Sequence, residues 1–288
     1  MGIGNFFKKT FGKQVCAFCG KEVGMMSRTK IRNDEFICDD CASRCSRFIS
    51  LYRFNKEDLQ GHMEYMERQG KLVALLGTPP RVVPLGASHD AVEFFDDAGM
   101  FRIRNLDADK KKAKEMFRYD QVLQYEPYCK ERDAEEPGKP KIFEECGLII
   151  TLVGAENMDR DDSLERKGLQ AHPYITEKIT VCINKRDKKI GTLDLNQIVS
   201  HFDHIFGVHD NTKGLFDFGP TKQQKREGEA LKAMGGMFAA AMKAAKTGEV
   251  SEEVKAQADD AMKKVSDAAS GGLAEYSRRA DATEAKIQ

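Results

Sequence analysis

The spacing of apolar residues changes along this chain, and each change predicts a different kind of element. After Phe54, the residues Leu59, Met63 and Met66 recur at helical intervals, which predicts an amphipathic helix. Asn55 stands where it can cap the first amides of that helix. Asp58, at the third helical position, makes a variant of the capping box, and Phe54 with Leu59 form a hydrophobic staple across it. Gly77-Thr-Pro-Pro80 stops the helix, and a domain boundary is placed there.

From about 82 to 209 the period becomes that of strands. Val92–Phe95 and Phe101–Arg104 flank the turn signal Asp96-Asp-Ala-Gly99 and predict a hairpin. The stretch from Phe117 to Tyr125 alternates as one half-buried strand, and Ile142-Phe with Gly147–Val153 makes a richer one. Ile179–Asn184 and Ile190–Leu195 read as strands on either side of the charged turn Lys185–Lys189. Leu195, Ile198, Val199, Phe202, Ile205 and Phe206 return to helical spacing, so this region is expected to be a twisted antiparallel sheet closed by one helix. The polar stretch 154–173, with Asp159-Arg-Asp-Asp162, reads as a long mobile loop without the spacing of a calcium site.

Two flanking regions differ. Residues 2–12 place Phe6, Phe7 and Phe11 near one face of a short helix, a segment that docks on its own protein or touches a membrane surface. Residues 210–288 are rich in Ala and Lys, with apolar positions at Leu231, Met234, Phe238, Met242 and Ala245 and, more thinly, at Val254, Ala258, Ala261, Val265 and Ala268. Ala favours helix but contributes little burial, so these helices need a partner surface to stay ordered. The expected organisation is an amphipathic N-terminal segment (1–14), a small module (15–54), a helical connector (55–77), a β-rich domain (78–209) and an Ala/Lys-rich helical tail (210–288).

The chemistry lies in the small module. Cys16-Ala-Phe-Cys19 and Cys38-Asp-Asp-Cys41 are two CxxC pairs at the separation of a four-thiolate zinc site, each supplying two ligands from one tight turn. Gly20 relaxes the first turn so that amides can point at sulfur. Residues 25–37 read as a hairpin turning at Asn33-Asp34, with Ile31, Phe36 and Ile37 inward. Cys38 and Cys41 then open a helix through Ser50, with Asp39 and Asp40 in its first turn where the dipole favours negative charge. Knuckle, hairpin and helix make a treble-clef arrangement holding one structural Zn²⁺ on Cys16, Cys19, Cys38 and Cys41. Cys45 reads as a small buried residue, the shell being complete without it.

Composition modifies this picture little. The 288 residues are 41% hydrophobic and 32% charged with no net charge, which describes a soluble protein with a modest core. Residues 1–56 carry 11 Lys/Arg against 5 Asp/Glu, and zinc binding to four thiolates removes about two of the excess charges. Eight cysteines without a secretory signal point to a reducing, cytoplasmic compartment. Gly2 fails the myristoylation pattern because position 6 is Phe6, and no apolar run reaches the length of a membrane span.

The segments Met1–Phe7, Cys16–Gly24, Asp34–Cys41 and the capped helix after Asn55 together resemble an uncharacterised bacterial family defined by an N-terminal four-cysteine zinc domain of unknown function. Members continue into a β-rich body similar to a bacterial PH-like or GRAM-like domain, and Phe117–Val122 and Ile179–Ile183 fit that continuation. The resemblance implies an α+β fold with a treble-clef module, a PH-like domain with a C-terminal helix, and four zinc ligands without catalytic residues. It departs at 154–173, where relatives have a glycine-rich segment.

The function expected is that of a non-enzymatic, zinc-stabilised interaction or adaptor protein. It would bind a protein or peptide partner, or a membrane surface, through the body and tail, with self-association through the tail. Two alternatives stay open. Arg28, Lys30, Arg32, Arg44 and Arg47 could form a basic face for nucleic acid, although the chain as a whole is neutral. His201 and His204, about one helical turn apart beside Asp203, could hold a second metal in a hydrolase, although a solvated face with His209 beyond the helix end explains them as well. Lys110–Lys112 reads as a solvated loop, and Cys129, Cys146 and Cys182 as strand cysteines of the small buried kind.

Overall fold

A computed structural model describes residues 12–83, 89–136, 138–161, 163–175, 178–206 and 271–287. The N-terminal amphipathic segment up to residue 11, the helices expected at 231–245 and 254–268, and His209 lie outside the described residues. The whole is a mixed α/β structure with antiparallel sheets and, among the described residues, six α-helices.

Two small hairpins come first. β1 (Gln14–Val15) pairs with β2 (Glu22–Val23), and β3 (Arg28–Lys30) pairs with β4 (Phe36–Cys38) in the register Arg28 to Cys38. The second turns through Asn33 and Asp34, both at positive φ (64° and 60°), a conformation that Asn and Asp tolerate better than other side chains. Ile31 and Ile37 are buried as expected, while Phe36 is half-buried beneath the Arg28 guanidinium.

Helix α1 (Asp39–Ala42) is far shorter than the helix expected through Ser50. Its last turn tightens, with the Cys45 amide reaching Ala42 O, and the Ser46 amide then bonds to Nε2 of His62 rather than continuing the ladder. The Ala42 carbonyl also accepts from Lys112 Nζ at 2.8 Å, a cap supplied from elsewhere in the chain.

Helix α2 (Lys56–Leu76) starts with the expected box: Asp58 N donates to Asn55 Oδ1 at 2.8 Å and Asn55 N to Asp58 Oδ2 at 3.4 Å. Its buried face, Leu59, His62, Met63, Met66, Gln69 and Leu72, serves two cores. Leu59 and Met63 close the cysteine module, whereas Leu72 packs with Phe95, Met100 and Met116 of the sheet region.

The body is a four-stranded antiparallel sheet, β5 (Arg81–Val83), β6 (Asp90–Phe95), β7 (Met100–Asn105) and β8 (Phe117–Arg118), and a three-stranded one, β9 (Val122–Arg132), β10 (Ile142–Leu152) and β11 (Lys178–Asn184), in the order β11-β10-β9. The hairpin at 96–99 is as expected, with Gly99 at φ 66°. The single strand expected from Phe117 to Tyr125 is instead broken at Tyr119–Gln121. There the Arg118 guanidinium grips Asp120 and Gln121 Oε1 accepts the Arg118 amide, and the chain passes from one sheet to the other.

The strand expected at Ile190–Leu195 is the first part of helix α5 (Lys188–Phe206). Asp187 caps it through Ile190 N, and the buried face runs Gly191, Leu195, Ile198, Phe202 and Ile205, leaving Ile190 and Leu193 exposed. Phe202 sits at the centre of the core, edge-on to Phe101 (5.3 Å) and Phe94 (5.6 Å) and stacked on Tyr125. The expected mobile loop at 154–173 contains helices α3 (Ala155–Arg160) and α4 (Ser163–Arg166) and buries Leu164, Leu169 and His172, because Val153 needs a cover.

Helix α6 (Gly271–Glu284) lies against the 96–98 turn, the 119–121 turn and α5. Its start meets the end of α5: a β-carbon on Gly272 would stand 3.0 Å from the Ile205 carbonyl oxygen. No helix among the described residues is long and apolar enough to cross a membrane.

Candidate metal centre

Cys16 leaves β1, and its carbonyl accepts from Gly20 N at 3.0 Å in a turn that needs Gly20 at φ 72°. Cys38 ends β4 and acts as the N-cap of α1, its Sγ accepting from Cys41 N at 3.4 Å. The Cys38 amide points at Cys16 Sγ, also at 3.4 Å. The two hairpins and the first turn of α1 thus bring all four sulfur atoms within 4.8 Å of one another. Cys19 Sγ and Cys38 Sγ are 3.7 Å apart, close to the edge of about 3.8 Å that four metal–sulfur bonds of about 2.3 Å impose on a tetrahedron.

Electrostatics fits the same use. Burial opposes ionisation of Cys16, but the amides of Cys19, Cys38 and Phe18 outweigh it and hold the thiol down at about 6. Burial pushes Cys38 and Cys41 up, and their sulfur neighbours push Cys41 further. Three of the four are buried, so four thiolates coexist here only around a cation. The site can hold one metal ion with amides already aimed at two of the sulfurs. Cys45 is fully buried outside the cluster, and burial raises its thiol to about 11.

The other candidate residues are dispersed. The four cysteines are the one metal-suited group of His, Cys, Asp or Glu among the described residues. His201 is buried, not solvated: Arg81 Nη1 lies 2.9 Å from its Nδ1 and Asp96 Oδ1 lies 3.1 Å from its Nε2. His204 points to the exposed side of α5, so the two do not share a site. Burial alone would raise the Asp96 carboxyl, but His201, Tyr119 and Arg81 outweigh it and hold it below its ordinary value. In the basic set, Arg28 reaches Gly12 O, Lys30 pairs with Asp34, Arg44 with Glu67 and Arg47 with Asp90. Cys146 is buried as expected, Cys182 is half-buried and Cys129 is exposed.

A buried polar cluster beside the module escaped sequence reasoning. Ser46 Oγ bonds Glu115, whose Oε1 lies 3.4 Å from His172 Nε2. That nitrogen also meets the Tyr65 hydroxyl at 3.2 Å. His172 Nδ1 accepts from the amides of Tyr174 and Ile175, which places its proton on Nε2. His62, fully buried, accepts the Ser46 amide at 3.0 Å. The cluster draws on the module, α2, the β8 approach and the segment after α4. His62, a polar residue within an apolar stripe, is the member that helical spacing could have flagged.

Burial pushes the His62 imidazole down to about 4, His172 reinforcing and Glu115 opposing. The folded value lies below the ordinary one of about 6.5, so the unfolded chain takes up the proton first. The contribution is full above pH 6.5 and is lost as the pH falls toward 4. Between pH 7 and pH 5 wild type is expected to lose about 2 kcal/mol of unfolding free energy more than His62→Gln does. Equal losses in denaturant titrations would rule this out.

Residues 14–62 match a family model described as a domain of unknown function (DUF4428), a span that holds all four cysteines and ends at His62 in α2. No curated protein and no solved structure matches the chain.

Proposed function

We propose that this chain is a non-enzymatic, zinc-stabilised adaptor in which a treble-clef module is locked against a PH-like body. The observation that carries this reading is the sulfur cluster. Four thiols within 4.8 Å of one another are enough to fill a zinc shell and leave no position for water or substrate, which is the mark of a structural rather than a catalytic ion. Hairpin, hairpin and a helix bearing the second cysteine pair support the treble-clef assignment. Four strands, three strands and a closing helix, all antiparallel, support the PH-like one. The same arrangement keeps His201 tied to Asp96 and Arg81 rather than available for chemistry. The partner is a protein or peptide bound by the body and the helical tail.

The purified chain is expected to contain one zinc, and cobalt exchanged into it should give the absorption of a tetrathiolate site. Affinity capture followed by sedimentation should then retain a protein at a fixed ratio. A second tightly held metal, or affinity for nucleic acid that falls steeply with salt, would overturn the reading.

A further inference from the structure

Helix α6 is held in an unusual way. Ala280 and Thr283 are its buried side chains, and Leu273 and Tyr276 pack half-buried against the main core. Ion pairs and hydrogen bonds make up much of the rest of its hold. Arg118 Nη2 reaches Asp281 Oδ1 at 2.7 Å and Nη1 reaches Glu284 Oε2 at 3.1 Å, while Arg279 Nη1 donates to Asp96 O at 3.0 Å. Tyr276 meets Tyr119 edge-on at 5.2 Å, and Ala280 drops into the small core of Leu72, Phe95, Met100 and Met116. Gly99 permits the backbones to meet, since a β-carbon there would collide with the Tyr276 carbonyl oxygen.

Part of the receiving surface is braced by the body itself. Asp120 holds the Arg118 Nε and Nη2 at 3.0 and 2.8 Å, and Ser277 Oγ of α6 donates to the same carboxylate. The guanidinium therefore stays in place and keeps a charge partner if α6 departs. The surface is also larger than α6 fills: a cavity of about 310 Å³ continues past Thr283 along Leu75, Leu76, Pro80 and Phe95. Gly271 and Gly272 lower the intrinsic helical preference of α6.

We propose that this groove is a receptor for an acidic helix, that α6 is its resident in cis, and that a partner protein binds by displacing α6 with a helix of the same pattern. That pattern is an aromatic residue, an alanine four positions on, and carboxylates at the fifth and eighth positions, as in Tyr276, Ala280, Asp281 and Glu284. This rests on the adaptor reading and names its docking surface. Because α6 belongs to the same chain, its docking is intramolecular and a partner's helix competes at a disadvantage. A displacing helix must therefore bind more tightly, and the cavity beyond Thr283 gives a longer helix the additional contact.

The test uses the full chain and a fluorescent peptide of residues 271–287 as the probe. Ala280→Arg evicts α6 without altering the groove. The peptide is expected to bind this variant saturably and at least tenfold more tightly than wild type. Adding Gly99→Asn, which tolerates positive φ but blocks the backbone approach, should abolish binding, as should reversing the peptide's two carboxylates to Lys. A folded Ala280→Arg chain that ignores the peptide overturns the proposal. So does one that cannot fold, since a detachable helix is not needed for folding. Hydrogen exchange on wild type gives a second check: α6 amides should open without β6, β7 or β10, and exchange only with global unfolding would refute displacement. A chain that binds the peptide but retains no cellular partner would count against the adaptor reading and leave the groove standing.

Discussion

Replacing Cys38 with serine is expected to abolish metal binding and unfold the cysteine module while the two sheets of the body persist. Serine keeps the amide that donates to Cys16 Sγ and can still cap α1, so the variant isolates the loss of one thiolate ligand. The module's own core is Val23, Ile31, Ile37 and a few small residues closed by Leu59 and Met63, too little to fold unaided. Metal binding supplies about 10–16 kcal/mol in small thiolate modules of this kind, so its loss decides the state of the module. Cys45→Ser is the control. Its thiol is buried and held neutral, so it should keep the metal and lose only about 1–3 kcal/mol. Elemental analysis with segment-resolved hydrogen exchange separates the two variants. A Cys38→Ser chain that retained one metal per molecule would sink the assignment.

The second large effect is expected at Arg118→Met. Burial opposes the guanidinium's charge, but Asp120, Asp281 and Glu284 outweigh it and raise its pKa. Removing it leaves Asp120, 0% exposed, with Ser277 Oγ as a neutral donor. Breaking one side of a buried pair costs about 3–5 kcal/mol, because the remaining charge has lost its compensation. The double variant Arg118→Met/Asp120→Leu should recover much of that loss. Denaturant unfolding of both variants decides the matter: a single variant within about 1 kcal/mol of wild type would show that the pair does not brace the 119–121 turn.

These two sites differ in how far they were legible in the sequence, and the reason is the range of the contacts. The cysteine cluster, the Asn55 cap and the 96–99 hairpin are each decided within a few residues, so spacing alone exposes them. The break at Tyr119–Gln121 is not. Phe117, Tyr119 and Tyr125 keep strand parity across it, and what bends the chain is Arg118 closing on Asp120 under Ser277 and Asp281 of α6. Ile190–Leu195 misleads similarly. Leu193 and Leu195 alternate, yet the helix buries Gly191 and Leu195, and Gly191 leaves room for the Cys146 sulfur on the neighbouring strand. The helix expected to Ser50 stops early because His62 takes the Ser46 amide, a partner that follows it in sequence by more than a dozen residues. The Glu115–His172 pair unites segments with no local signal at all.

The meeting of Ile205 with Gly272 has a further consequence. The end of α5 and the head of α6 are held against each other, so the chain between them is closed into a loop whatever its length. In general the entropy of loop closure changes by only about 0.6 kcal/mol for each doubling or halving of length. The docking of α6 beside Ile205 is therefore set by the contacts at the junction itself, and only weakly by how many residues separate the two helices.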